Sequence, residues 1–135
     1  MAANTAPIFC IAPRIEWGTI ATANTAKDGT GTVVTVFTAQ ANGSRIEKIK
    51  ARALGTNVAT VLRIFINNGS TNATAANNTL IMEWTLPATT LSEVAALTDQ
   101  EITLNLPLPV GYKVNVTIGT TVAAGYAITG IGGDY

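Results

Sequence analysis

Histidine is absent from the chain, and cysteine occurs only once, at Cys10. Histidine is the commonest general base and the commonest metal ligand among side chains, so most catalytic triads and metal sites would lack their central residue here. A single cysteine cannot form an internal disulfide or, by itself, a structural zinc site. These absences predict a protein that is not an enzyme and that needs no metal and no cofactor.

Charge is also scarce. Only 12% of the residues are charged, and 8 basic residues balance 8 acidic ones. A neutral chain has no overall field that attracts phosphates, so we predict no nucleic-acid partner. No apolar run reaches the roughly 18 residues of a membrane span, and the start MAANTAPIFCIAP lacks the basic residues of a signal peptide. We therefore predict no membrane partner and synthesis in a cytoplasm.

The remaining reactive groups have simpler structural interpretations. Glu93, Asp99 and Glu101 are close in sequence, but a glycosidase-like pair needs two carboxylates facing one cleft, and we interpret these three as solvated charges. The glycines of residues 130–133 lie outside any phosphate-binding motif and are interpreted as allowing backbone bending. Cys10 has apolar neighbours and is predicted to be a packed, unreactive thiol.

The chain is predicted to consist of an extended N-terminal arm, residues 1–13, and a single domain, residues 14–135. The arm holds two prolines and shows no regular alternation. Beyond it, short β-branched segments are separated by turn residues such as Asp28-Gly29 and Asn42-Gly43. Eight strands are predicted, at residues 14–21, 32–39, 45–54, 57–67, 79–86, 100–106, 112–119 and 125–131.

Two of these strands have unusual faces. In the third, Lys48, Lys50 and Arg52 point to one side, which predicts an exposed row of cations. In the fourth, apolar residues occupy one face while Val61 and Phe65 lie on the other, so both faces are predicted to be covered. The fourth segment is therefore predicted to be a central strand or an interface strand.

The tryptophans are predicted to belong to the core. Trp84 is in phase with Met82 and Leu86, and Trp17 is in phase with Ile15. If these aromatic rings were exposed in a groove, they could instead form a stacking platform for sugars.

An all-β fold follows from eight short strands with almost no helical signal. The predicted architecture is a two-sheet β-sandwich, an eight-stranded jelly roll, with an immunoglobulin-like sandwich as the alternative. Thr90 and Glu93 have the spacing of a capping box, which allows a turn or two of helix, and a loop is the alternative there. Residues 67–78 are predicted to form a long exposed loop.

Three stretches carry a family resemblance: the start AANTAPIF, the segment ALGTNVATVLRIFINNGSTNATAANN and the ending LPLPVGYKVNVTIGTTVAAGYAITGIGGDY. Together with the composition rich in threonine, alanine and asparagine, they resemble small structural proteins of tailed bacteriophages, especially capsid decoration or cement proteins. The resemblance implies a compact β-rich body, often trimeric, that reinforces the shell where major capsid subunits meet. It also implies an arm that reaches onto a neighbour.

We therefore predict a virion structural protein on the capsid surface, forming a homotrimer and binding the major capsid protein or another virion protein. A tail, neck or head-fibre component and a carbohydrate-binding receptor-recognition module are the alternatives. The candidate interface combines the apolar arm with the cationic strand and the two-sided strand. Its predicted residues are Ile8, Phe9, Ile11, Arg45, Lys48, Lys50, Arg52, Arg63 and Phe65.

Overall fold

The computed structural model describes residues 9–135. Ile8 and the rest of residues 1–8 lie outside the described residues. Within residues 9–135, eight strands follow one another, with a single short 3-10 helix at Ala75–Asn77. The strands are β1 (Ala12–Ile20), β2 (Val34–Thr38), β3 (Ser44–Ala53), β4 (Thr60–Asn67), β5 (Asn78–Leu86), β6 (Gln100–Leu108), β7 (Lys113–Ile118) and β8 (Tyr126–Asp134).

The strands form two four-stranded antiparallel sheets. The first sheet has the order β1-β8-β3-β6, and the second has the order β2-β7-β4-β5. Strands pair as β4 with β5, β3 with β6, β2 with β7 and β1 with β8, so the chain forms one long hairpin that wraps into two layers. This is the jelly-roll arrangement, which confirms the prediction, and the immunoglobulin-like alternative is wrong because its sheets combine the strands in another order.

The strand predictions are confirmed in number, and their boundaries differ in instructive places. β1 begins at Ala12, inside the predicted arm, because β8 extends to Asp134 and pairs with it there. The Ile11 N–H also donates to the Asp134 carbonyl oxygen at 2.8 Å. β4 begins at Thr60, later than the predicted residue 57, because the Asn57 side chain forms hydrogen bonds with the loop that contains Ala124 and Gly125.

Both faces of β4 are covered, as predicted, and the strand is central in the second sheet. Leu62 and Ile64 contribute to the core between the sheets, whereas Phe65 points outward and is still fully buried. The loop of residues 21–33 accounts for this burial. It is anchored to the Ile118 carbonyl by the Asn24 N–H at one end, and its Asp28 carbonyl accepts from Asn78 at the other, so it runs over the outer face of β4.

The segment that follows β5 is a loop. The Thr90 capping box does not form; the Ser92 hydroxyl instead accepts hydrogen bonds from the N–H groups of Val94 and Ala95, both at 3.2 Å. Among the described residues, no helix is long and apolar enough to span a bilayer.

The glycines near the end of β8 permit a close approach between strands. A Cβ atom on Gly132 would overlap the carbonyl oxygen of Arg45 on β3. Close packing of β8 against β3 therefore replaces the bending predicted for this run.

Candidate protein-interaction surfaces

On β1, the apolar side chains face solvent and the charged side chains face inward. Its side chains alternate, but Ile15 and Trp17 face solvent, with exposed fractions of 57% and 72%, and Ile11 just before the strand is 81% exposed. Phe9 is 72% exposed as well. The prediction that Ile15 and Trp17 belong to the core is wrong, although they do share a face. We call Phe9, Ile11, Ile15 and Trp17 the apolar stripe.

The inward positions of β1 carry charge instead, at Arg14 and Glu16. The Arg14 guanidinium donates to the Thr38 carbonyl oxygen at 2.5 Å and to Asp134 Oδ1 at 3.2 Å, and it also pairs with Glu16. Its Cζ atom lies 5.1 Å from the centre of the Phe37 ring. These contacts satisfy a partly buried cation between the sheets and hold the charged face inward. The apolar face of β1 is left outside as a result.

We call the group formed by Arg14, Glu16 and Asp134 the ion clasp. Asp134 Oδ1 also accepts a hydrogen bond from the Ser44 hydroxyl at 2.5 Å, so the clasp joins β1, β8 and β3. The side chains of Arg14 and Asp134 are only 19% and 16% exposed, which limits the access of water to the pair. Removing one member of the clasp would therefore leave a partly buried charge without its partner, which costs more than breaking a surface ion pair.

Replacing Arg14 with methionine should lower the free energy of unfolding by about 1 to 3 kcal/mol, because two carboxylates then lose their partly buried partner. Lys48→Met, which removes an exposed pair on β3 of the same sheet, is the matched control and should cost about 0 to 1 kcal/mol. Urea denaturation followed by circular dichroism measures both. Equal losses in the two variants would contradict the structural role of the clasp.

The predicted cationic row lies on the outer face of the first sheet, and carboxylates of the same chain neutralise much of it. Lys48 Nζ lies 3.2 Å from Glu101, Lys50 Nζ lies 3.0 Å from Asp99, and Arg52 lies 3.7 Å from Asp99. Opposite charges on adjacent strands form favourable cross-strand pairs. The local field of the row is therefore weaker than the cations alone would produce.

The pairing also affects titration. The hydrogen bond to Asp99 raises the pKa of Lys50, and the same hydrogen bond lowers the pKa of Asp99. Asp99 therefore adds stability above its ordinary pKa that is lost as acid protonates it, and Lys50 adds stability below its ordinary pKa that is lost in alkali. Both groups are exposed, so the pair contributes little to stability near neutral pH.

Arg45 lies apart from the cationic row and its paired carboxylates. With Phe9, Cys10, Glu47 and Tyr135 it lines a surface hollow of about 350 Å³. Tyr135 also borders a second, mainly apolar groove of about 540 Å³. The other residues of this groove are Ala41, Asn42, Gly43, Pro107, Leu108, Pro109 and Val110. Tyr135 therefore borders both the hollow beside Phe9 and the groove at the end of the sandwich.

Two predicted interface residues are used within the chain. Arg63 donates from Nε to Glu83 at 2.8 Å, and its side chain is only 12% exposed. Phe65 is fully buried beneath the loop of residues 21–33 and presents no surface to a partner in this fold. Both lie on the second sheet, away from the stripe.

A second apolar surface was missed by the sequence predictions. Leu54, Val58, Leu91 and Val94 are 50%, 56%, 54% and 98% exposed, and they lie in the loops that follow β3 and β5. We call them the loop-end patch. Leu54 and Val58 were predicted to lie within strands. At Leu91 and Val94 the sequence showed only two apolar residues, in a segment predicted to be either a short helix or a loop.

Asn57 fastens the loops that carry this patch. Its backbone pairs with Thr89, and its side-chain Oδ1 accepts from the N–H groups of Ala124 and Gly125 at 2.8 and 3.2 Å. Its Nδ2 donates to the Gly125 carbonyl oxygen at 2.9 Å. Asn57 is only 3% exposed, so these bonds are shielded from water.

The aromatic side chains do not gather into a sugar-binding groove. Tyr126 is buried at the start of β8, where burial raises its pKa, whereas Tyr135 lies beyond the other end of the same strand. Trp84 packs against the core, as predicted, and donates to Gln100 Oε1 at 2.9 Å. Trp17 is left as the exposed ring on a sheet face. Within residues 9–135, no group of three potential metal ligands comes together.

No protein-family model matches this chain, and no curated protein matches its sequence. Among solved structures, it is similar to a chain in the crystal structure of the T13 IBDV viral particle, with 16% sequence identity and a TM-score of 0.34. The alignment covers 98% of this chain and 35% of that one, so this chain spans about a third of the viral chain's length.

Proposed function

We propose that this protein is a virion structural protein that decorates the outer capsid, binding the assembled shell and bridging major capsid subunits. The observation that carries the proposal is the apolar stripe on β1. Its four side chains expose roughly 600 Å², taking about 150 to 250 Å² for a large apolar side chain in full contact with water. This area reaches the upper end of the range of about 300 to 600 Å² for the largest apolar patch on a typical monomer, and such patches often serve a function.

Reinforcement of a shell requires binding and no chemistry. A protein that binds the assembled shell better than its separated subunits stabilises the shell by mass action. Phe9 and Ile11 at the end of the arm, together with Ile15 and Trp17, supply the binding energy in this proposal. A tail, neck or head-fibre location would use the same surface, and electron microscopy of labelled particles distinguishes these locations.

Self-association as a homotrimer is part of the proposal. The two-sided strand β4 does not support it, because Phe65 is buried within the chain. The loop-end patch supports it instead, since it lies at the end of the sandwich away from the arm and leaves the stripe free for the shell. Sedimentation equilibrium at tens of micromolar should give three times the 14.0 kDa mass of the monomer, and Val94→Ser with Leu91→Ser should shift it to monomer. A strictly monomeric wild type, alone and on particles, would remove the trimer.

The decisive experiment compares particles with and without the protein. Decorated particles should rupture at a higher temperature than bare ones, as measured by release of packaged nucleic acid on heating. Adding the purified protein back to bare particles should restore the higher temperature. If both kinds of particle rupture at the same temperature, reinforcement is wrong, and display or host adhesion becomes the better explanation.

Attachment should depend only weakly on salt. Lys48, Lys50 and Arg52 are paired within the chain, and the stripe is uncharged. Raising the salt concentration from about 0.1 M to about 0.5 M should therefore change the affinity for particles less than about threefold, although it screens exposed charges strongly. Sedimentation of particles with labelled protein measures this. A tenfold or larger loss would identify the cationic row as the principal contact.

A further inference from the structure

The apolar stripe lies along the edge strand β1, and Ile131 on β8 extends the apolar surface to a second strand beside Ile15. Its inner neighbour on β8 presents Ile131 and Thr129, both partly buried, and the next strand across presents the row containing Lys48 and Lys50. β1 is an edge strand, so the sheet ends on the other side of the stripe. The apolar surface is therefore long and narrow, between ion-paired side chains and the edge of the sheet.

We propose that the stripe seats one extended, uncharged segment of the shell protein, with apolar side chains at alternate positions. This inference rests on the proposed function and adds the chemistry of the partner. A broad folded surface laid on this sheet would also cover the β3 row and would have to desolvate the pairs of Lys48 with Glu101 and Lys50 with Asp99. Desolvating such pairs offsets much of the gain from apolar contact.

The spacing of the stripe fits an extended chain. Ile15 and Trp17 are two residues apart on a strand, so their side chains are separated by roughly 6.6 Å along β1. Alternate residues of another extended segment have the same spacing and can meet them one to one. The distance from Ile11 to Trp17 is roughly 20 Å, which a segment of about seven residues spans.

The groove beside Tyr135 gives the segment a place to continue. Phe9 and Tyr135 line one hollow together, and Tyr135 lines the next with Pro107 and Val110. The stripe and the groove are mainly apolar, which is why the proposed segment is uncharged, and the hollow between them also presents Arg45 and Glu47. A second copy of this chain is the occupant that the test must distinguish from the shell protein.

Site-specific photo-crosslinking on purified cognate particles tests the proposal. A benzophenone amino acid is placed at Trp17 in one protein and at Thr19, on the same face, in a second; Thr85 on the outer face of the other sheet is the control position. After irradiation, mass spectrometry should find crosslinks from Trp17 and Thr19 within one continuous stretch of about ten residues of the shell protein. A peptide of that stretch in excess should release bound wild-type protein, and crosslinking from Thr85 should be at least tenfold weaker.

Crosslinks spread over separate segments of the shell protein, or found in a second copy of this chain, would overturn the inference and leave the proposed function in place. Failure of the wild-type protein to attach to particles would overturn the proposed function, and the inference with it.

Discussion

Replacing Ile15 and Trp17 together with serine is expected to weaken attachment to particles by about a hundredfold to a few thousandfold. Burying an isoleucine is worth about 1.5 to 3 kcal/mol, and a central tryptophan in an interface commonly costs about 2 kcal/mol or more when removed. A combined loss of about 3 to 5 kcal/mol gives that change in affinity, since about 1.4 kcal/mol corresponds to tenfold.

The measurement is a binding curve of fluorescent protein on intact particles, together with the rupture temperature of the particles. The free energy of unfolding of the variant should stay within about 0.5 kcal/mol of wild type, because both side chains are already exposed in the free protein. Ile81→Ser is the matched control: Ile81 is also an exposed isoleucine, but it lies on β5 of the other sheet. Wild-type affinity in the double variant would contradict a role for the stripe.

Replacing Asn57 with alanine is expected to lower the free energy of unfolding by about 3 to 5 kcal/mol. The change leaves the N–H groups of Ala124 and Gly125 without their side-chain partner, and each unsatisfied buried group costs about 1 to 3 kcal/mol. The Gly125 carbonyl oxygen loses the bond from Asn57 but keeps the bond from the Leu54 N–H. Such a loss is a large part of the free energy of unfolding of a typical domain, which is about 5 to 15 kcal/mol.

Thermal and urea denaturation measure this effect. Asn68→Ala is the control, since the Asn68 side chain makes its hydrogen bonds at the exposed surface. It should change stability by less than about 1 kcal/mol. An Asn57 variant as stable as wild type would mean that water replaces the lost bonds and that the loops carrying the loop-end patch are held by other contacts.

The local pattern of the chain was sufficient to predict its strands. Period-two alternation, β-branched residues and turn dipeptides located eight strands, because these signals depend on residues that are neighbours in sequence. The outward direction of Lys48, Lys50 and Arg52 followed from the same period, since long charged side chains avoid burial without partners. The number of strands also predicted a jelly roll, and the order of the strands in the two sheets is that of a jelly roll.

The tertiary structure decided which face of a strand is inside. In β1, alternation separated Ile15 and Trp17 from Arg14 and Glu16 but could not tell which pair is buried, and hydrophobicity pointed the wrong way. Arg14 faces inward because Asp134 and the Thr38 carbonyl, both remote in sequence, satisfy its charge there.

The same reason applies to Phe65 and Asn57. An outward phenylalanine on a central strand indicated a partner surface, but a distant loop of the same chain covers it, and no local signal marks that loop as a cover. Asn57 looked like the start of a strand, and its importance comes from Gly125 and Thr89, which the fold brings beside it. The sequence by itself determined the strands and their two faces, whereas contacts between remote segments decided which faces remain free to bind.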